Sequence, residues 1–383
     1  MNFYVKPGAA GIGTKEAPFG SVEQARDAIR RLTPAQRDED ITVILAGGHY
    51  PISETVAFNS ADSGTAAHPI VYRSANGETA VFDGGVTVPH DRLHKLDDPA
   101  VAARLVDPAA ADKMYVLDLA GLDIRYGTYG NRGFRRPYVP APNELFVNEA
   151  PMTLARYPKK EDGFLPLNEV VDKGSTPRSG DFSLRPFIIR YDNARIERWA
   201  DAKQACISGY FGSSYADDNI EIAEINAKDR TIKTTLPHLY GATAEPFTCW
   251  FIVNLLEEVS APGEYFIDTA AQKAYFIPLP GTDVQTAVYQ ISSMPDVMFA
   301  FEDASYITVK DCVFENSRGT GVYIEGGCGI RLQDCALHNL GMLAVQIGQG
   351  ASAMPEGRHT YHGQRDEGVE PPHPISREMG AWH

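Results

Sequence analysis

Eight positions between residues 307 and 327 return 23 residues later as the same or a similar residue. Ile307 falls on Ile330, Val309 on Leu332, Asp311 on Asp334 and Cys312 on Cys335. Asn316 falls on Asn339, Val322 on Val345, Ile324 on Ile347 and Gly327 on Gly350. A period of this length in short apolar stretches is the mark of a solenoid, whose turns satisfy their backbone groups only by stacking on one another. Stacking places like on like. Asn316 and Asn339 are therefore expected to form an amide ladder at a bend, and Cys312 and Cys335 to stack in the core. Asp311 and Asp334 repeat with the period, which suits a structural role better than a unique catalytic one. A metal pair at the two cysteines would need further Cys or His at set spacings.

The start of the chain fits the same architecture. Phe3, Tyr4 and Val5 read as a short strand, followed by a glycine-rich loop from Gly8 to Gly13. Ser21 and Gln24 have the spacing of a capping box, and Val22, Ala25, Ala28, Ile29 and Leu32 share one helical face. The loop is not a phosphate-binding loop, because Thr14 stands between Gly13 and Lys15 where the lysine should follow the glycine. Residues 41–45, 55–58, 70–73 and 81–83 read as strands, and residues 47–51 as a turn. Short strands with no helices between them exclude βαβ units, which need a long crossover. From about residue 143 to 279 the turns are less regular and aromatic residues more frequent. Strands are expected at 187–191, 204–209, 220–226 and 231–235, and a hairpin pairing 263–268 with 273–278.

Net charge is −15, with 34 Gly and 26 Pro marking many turns. Such a balance argues against nucleic acid as a partner, since phosphate binding needs clustered Lys and Arg. The five cysteines include no C-x-x-C pair and are expected to be reduced and buried. No basic and apolar leader opens the chain, and no apolar run approaches the roughly 18–20 residues that span a bilayer. The expectation is a cytoplasmic protein with no membrane partner.

Three stretches carry a resemblance. FYVKPGAAGIGTKEAPFGSVEQARDAIR is similar to the N-terminal cap of many bacterial β-helix enzymes. NELFVNEAPMTLARYP, at 143–158, and WFIVNLLEEVSAPGEYFIDTAAQKAYFIPLP, at 250–280, resemble the insertion domain of glycoside hydrolase family 141 and its relatives. The likeness covers about residues 2–350. It implies a mainly β fold, a right-handed parallel β-helix solenoid with an N-terminal capping helix and an inserted all-β domain. The expected division is a cap and first turns at 1–140, a β-rich insertion at 141–282, further turns at 283–350 and a tail at 351–383. The implied setting is degradation of a plant-type polysaccharide such as xylan or fucosylated pectin, and the implied ligand is a polysaccharide or oligosaccharide.

In that family the proposed catalytic carboxylates lie on later turns, so no catalytic residue is assigned here and the chain is expected to be inactive as it stands. The tail lacks strand alternation and any 23-residue echo. Shifting the frame by one base across 357–374 yields a stretch that looks like a further family turn, so a frame shift near residue 350 is expected; a disordered tail is the plainer reading of its His, Pro and Glu content. His359 and His362, with His373 and His383, make a poor metal set without helix signals, and neither metal nor cofactor is expected.

Glycoside hydrolysis usually needs two carboxylates. The most suggestive acidic cluster is Asp217 and Asp218, flanked by Tyr210, Phe211 and Tyr215. Aromatic faces stack on sugars, so Tyr215, Asp217 and Asp218 are the substrate-binding candidates. The plainer reading of the aspartates is a solvated turn, helped by Asn219. Glu257 and Glu258 read as structural, leading into the hairpin. Three functions remain open: a hydrolase-like protein, a non-catalytic carbohydrate-binding or scaffold protein, and a polysaccharide lyase needing a cationic base.

Overall fold

A computed structural model describes residues 1–136 and 139–348. The tail at 351–383, and the match of Gly327 with Gly350, lie outside the described residues. Among the described residues the chain forms two compact units, one of residues 1–86 and 291–348, the other of Thr87–Gln290.

The first unit holds three parallel sheets. One contains Asn2–Val5, Ile41–Leu45, Ile70–Ser74, Ile307–Lys310 and Arg331–Gln333 in that order. A second contains Gly48–Pro51, Ala80–Asp83, Cys312–Glu315 and Ala336–Leu337, and a third Val56–Phe58, Phe299–Glu302, Val322–Glu325 and Val345–Ile347. From Ile41 on, the chain visits the sheets in the same order each time, and the 23-residue echo is their register: Val309 lies beside Leu332, Phe314 beside Leu337 and Val322 beside Val345. Ile70 is paired directly with Ile307, so the register continues across the inserted segment.

Alternation along each strand sends every second side chain inward. Ile41, Val43 and Leu45 are buried while Thr42 and Ile44 are half-exposed. Aromatic side chains stack from strand to strand in the same core, Phe58 on Phe301 at 4.8 Å and 7°, and Phe82 against Phe314 at 5.0 Å. The corners explain the repeated Asp and Asn. Asp311, Asn316, Asp334 and Asn339 all have φ between 52° and 57°, a left-handed conformation that these two residue types tolerate best. Asn339 Nδ2 donates to Asn316 Oδ1 at 3.1 Å, the expected amide ladder. Cys312 is buried, and Cys335 packs half-buried against the same core.

Three expectations need correction. Residues 48–51 are a strand rather than part of a turn, because Gly48 through Pro51 pair in parallel with Ala80 through Asp83. Ser21 does accept the Gln24 N–H, and the helix Val22–Arg30 buries Val22, Ala25 and Ile29, but the Gln24 side chain caps Gly20 N–H at 2.7 Å instead of closing the box on Ser21. All five cysteines are free, as expected, yet Cys328 is exposed, at the bridge that joins Ser305 to its position 23 residues on.

The second unit begins at Thr87, earlier than the change of sequence texture near residue 141. The reason is pairing: Tyr115–Asp118 runs antiparallel to both Leu93–Lys95 and the hairpin strand Lys273–Phe276. The hairpin joins Glu264–Asp268 to that strand, with Tyr265 opposite Phe276. A larger sheet runs through Cys249–Val253, Cys206–Tyr210, Asp217–Asn226, Thr231–Thr234 and Ile188–Arg190, every pair antiparallel. Its core is Phe187, Trp199, Ile207, Phe211, Ile220, Trp250 and Ile252.

Candidate functional site

The three substrate-binding candidates sit at the start of the strand Asp217–Asn226, and the structure gives them different environments. Asp217 is exposed, Asp218 is buried and Tyr215 is 62% exposed. Here the solvated-turn reading is corrected: both aspartates belong to a strand, Asp217 opposite Tyr210 and Asp218 opposite Gly209.

Asp218 is held by an ion pair. Arg136 Nε and Nη2 donate to its two oxygens at 2.9 and 2.7 Å, and Nη2 donates also to Pro237 O at 2.8 Å. Both side chains are almost wholly buried. A planar guanidinium meeting a carboxylate with two parallel bonds fixes position as well as charge. Asp218 therefore anchors the segment before residue 137 and does not present its carboxylate to solvent. Gly133 makes that approach feasible. It lies opposite Asp218 with φ 145°, and a Cβ there would stand 2.6 Å from Asp217 O.

That anchored segment brings Phe134 to Tyr215, ring centroids 5.5 Å apart and edge to face. Tyr215 also meets Tyr240 edge to face at 6.0 Å, with the two hydroxyls in hydrogen-bond contact. Burial, then the bond to Tyr215, pushes the Tyr240 hydroxyl above its usual range, while a hydrogen bond with Arg178 works the other way. Arg135 lies close by; desolvation lowers its pKa and the nearby Tyr240 opposes that. Buried His238 lies next to Tyr240, its Nδ1 3.2 Å from Gly241 O and 3.3 Å from the Tyr240 amide nitrogen, and its Nε2 3.2 Å from Ala216 O. The result is an exposed aromatic ring braced by two other rings, with arginines and an exposed carboxylate beside it. Such a surface can stack on an apolar face and hydrogen-bond around its rim.

Other carboxylates are structural. Glu258 receives Arg195 Nε and Nη2 at 2.8 and 2.7 Å and Trp199 Nε1 at 2.9 Å, and Glu257 receives Arg104 at 2.7 Å. Sequence reasoning missed Arg136, Phe134, Arg178 and Tyr240, whose distances along the chain from Asp218 hide their proximity. It also missed His49, Asp83 and Glu315, the one group among the described residues whose metal-ligating atoms all lie within 4.8 Å of one another.

No family model and no curated protein matches this sequence. In three dimensions the chain has the fold of a solved glycoside hydrolase: TM-score 0.61 at 18% identity, over 82% of this chain and 50% of that one. A weaker likeness is to XylC in complex with xylose, TM-score 0.39 at 13% identity, over 85% of this chain and 40% of that one. The chain thus spans half the length of the glycoside hydrolase it matches. Among the described residues, no helix is long and apolar enough to cross a membrane.

Proposed function

We propose that this is a carbohydrate-active protein whose three parallel sheets are the faces of a right-handed parallel β-helix, and whose inserted unit binds an oligosaccharide at the Tyr215 surface. The observation that carries the proposal is the exposed Tyr215 ring, held edge to face by Phe134 and Tyr240. A ring immobilised in this way loses little rotamer entropy on binding and offers its face to the C–H side of a sugar. Asp217, Arg135 and Arg178 supply acceptors and donors for hydroxyls at the rim. Asp218 acts through Arg136, as a positioning residue.

The ligand class is a plant-type polysaccharide, xylan or a pectin. A recurring order of short parallel strands with in-register asparagines supports the β-helix, and the fold of the solved glycoside hydrolase supports a carbohydrate setting. Electrophoresis through native gels cast with xylan, pectin or no polysaccharide tests the reading. Retardation of the wild-type protein in one polysaccharide, lost in Tyr215→Ala, is expected. Equal mobility of wild type and variant in every gel contradicts it.

A further inference from the structure

The middle sheet of the first unit carries a second cluster, far along the chain from Tyr215. Inward-facing Tyr50, Phe82 and Phe314 form the core of three neighbouring strands. Alternation puts His49, Asp83 and Glu315 on the opposite face. Asp83 and Glu315 stand directly opposite each other in adjacent strands, and Asp83 lies opposite Pro51 on the other side, two residues from His49. His49 Nδ1 is 3.4 Å from Asp83 Oδ2 and 3.8 Å from Glu315 Oε1. The register continues one turn further, and His338 Nε2 is 3.4 Å from the other Glu315 oxygen, Oε2.

We propose that His49, Asp83 and Glu315 form a binding site for a divalent transition-metal ion of the zinc type, with His338 orienting Glu315. Geometry comes first. Zinc bonds to nitrogen and oxygen of about 2.0–2.1 Å place tetrahedral ligand atoms about 3.4 Å apart. The two His49 distances, 3.4 and 3.8 Å, are already near that spacing, and all three ligand atoms lie within 4.8 Å of one another. Charge is the second ground. Both carboxylates are largely buried, Asp83 at 7% and Glu315 at 2% side-chain exposure. Two carboxylates opposed across a ladder both attract a dication placed between them. One imidazole and two carboxylates form a donor set that suits zinc or manganese.

The site is also pre-arranged. Asp83 Oδ1 accepts Gly85 N–H at 2.8 Å and the Asn316 amide at 3.4 Å, which aims Oδ2 at His49. His338 does for Glu315 what outer hydrogen-bond partners do for metal ligands generally. His49 is 54% exposed, so an ion enters from solvent and a fourth coordination position stays open to water or a sugar hydroxyl. The bound ion would clasp turns that precede and follow the 204-residue unit Thr87–Gln290.

The test is calorimetric titration of zinc chloride into the full-length protein after chelator treatment and dialysis. Cobalt(II) absorption serves as a second readout of coordination by nitrogen and oxygen. One tight equivalent is expected for wild type and for a variant with His359, His362, His373 and His383 all changed to Ala, which removes the tail histidines. His49→Ala should bind at least about tenfold more weakly, as should Glu315→Gln. Because His49 is exposed, its variant keeps the test decisive even if Glu315→Gln fails to fold. Absence of zinc binding by wild type, or equal affinity in wild type and His49→Ala, overturns the proposal.

Discussion

Asn339 donates its side-chain amide to the Asn316 side-chain oxygen at 3.1 Å, one repeat earlier in the chain, and both residues hold the same left-handed backbone conformation. Identity, hydrogen bond and dihedral angle are one fact seen three ways. A corner that needs φ near 55° selects Asn or Asp, and stacking then lets one amide satisfy the next.

Replacing Asn316 with Ala should therefore cost more than the average surface change. It removes a buried acceptor and puts at a left-handed corner a residue that tolerates that conformation less well than Asn, for a combined loss of about 2–4 kcal/mol. Urea unfolding measures this. Asn316→Asp keeps the conformational preference but loses the amide donor to Asp83 and sets a third buried carboxylate beside it, so its loss should be at least as large.

The Arg136–Asp218 pair should be sensitive to loss of either partner alone. Asp218→Ala leaves a buried guanidinium uncompensated, and the expected loss is about 3–5 kcal/mol. Asp217→Asn, at an exposed neighbour, should stay within about 0.5 kcal/mol of wild type. Comparable losses at the two positions, read from denaturant midpoints, would remove Asp218 from its anchoring role.

Gly133→Ala should act at the same place through the backbone. Its added carbon would stand 2.6 Å from Asp217 O at a φ of 145°. The expected loss is about 1–3 kcal/mol. Weaker oligosaccharide binding should accompany it, because Phe134 and Arg135 follow directly.

Stability should also fall in mild acid through His238. Burial lowers its pKa, so the unfolded chain takes up the proton at a higher pH than the folded chain. Stability is complete above the ordinary histidine value of about 6.5 and is lost as the pH drops below it. Denaturant midpoints between about pH 7.5 and pH 5.5 should decline in wild type and decline less in His238→Gln.

How much of this was legible in the sequence depends on the type of pairing. In-register parallel strands put like residues on one another, so Val309 above Leu332 and Asn316 beside Asn339 appear as a fixed offset. Antiparallel pairs such as Tyr265 with Phe276 leave no such echo, and only the short hairpin loop betrays them. The anchoring of Asp218 was hidden because Arg136 lies 82 residues away. Tyr215, Asp217 and Asp218 look alike as a sequence cluster, yet strand alternation buries Asp218 and exposes its neighbour. His49, Asp83 and Glu315 sit on different turns, and the whole inserted unit separates the last two. His49 was further obscured by the two glycines before it, which suggest a turn where a strand begins.

The most direct test of the functional account is calorimetric titration of xylo- and galacturono-oligosaccharides into wild-type protein and Tyr215→Ala, with folding of both confirmed by circular dichroism. Saturable binding of one oligosaccharide class to wild type, weakened at least tenfold in the variant, is the predicted result; each stacked sugar ring is taken as comparable to an aromatic pair together with its buried area, about 1.4 kcal/mol or more. Binding of equal strength to both proteins, or to neither, would contradict the placing of the carbohydrate surface at Tyr215.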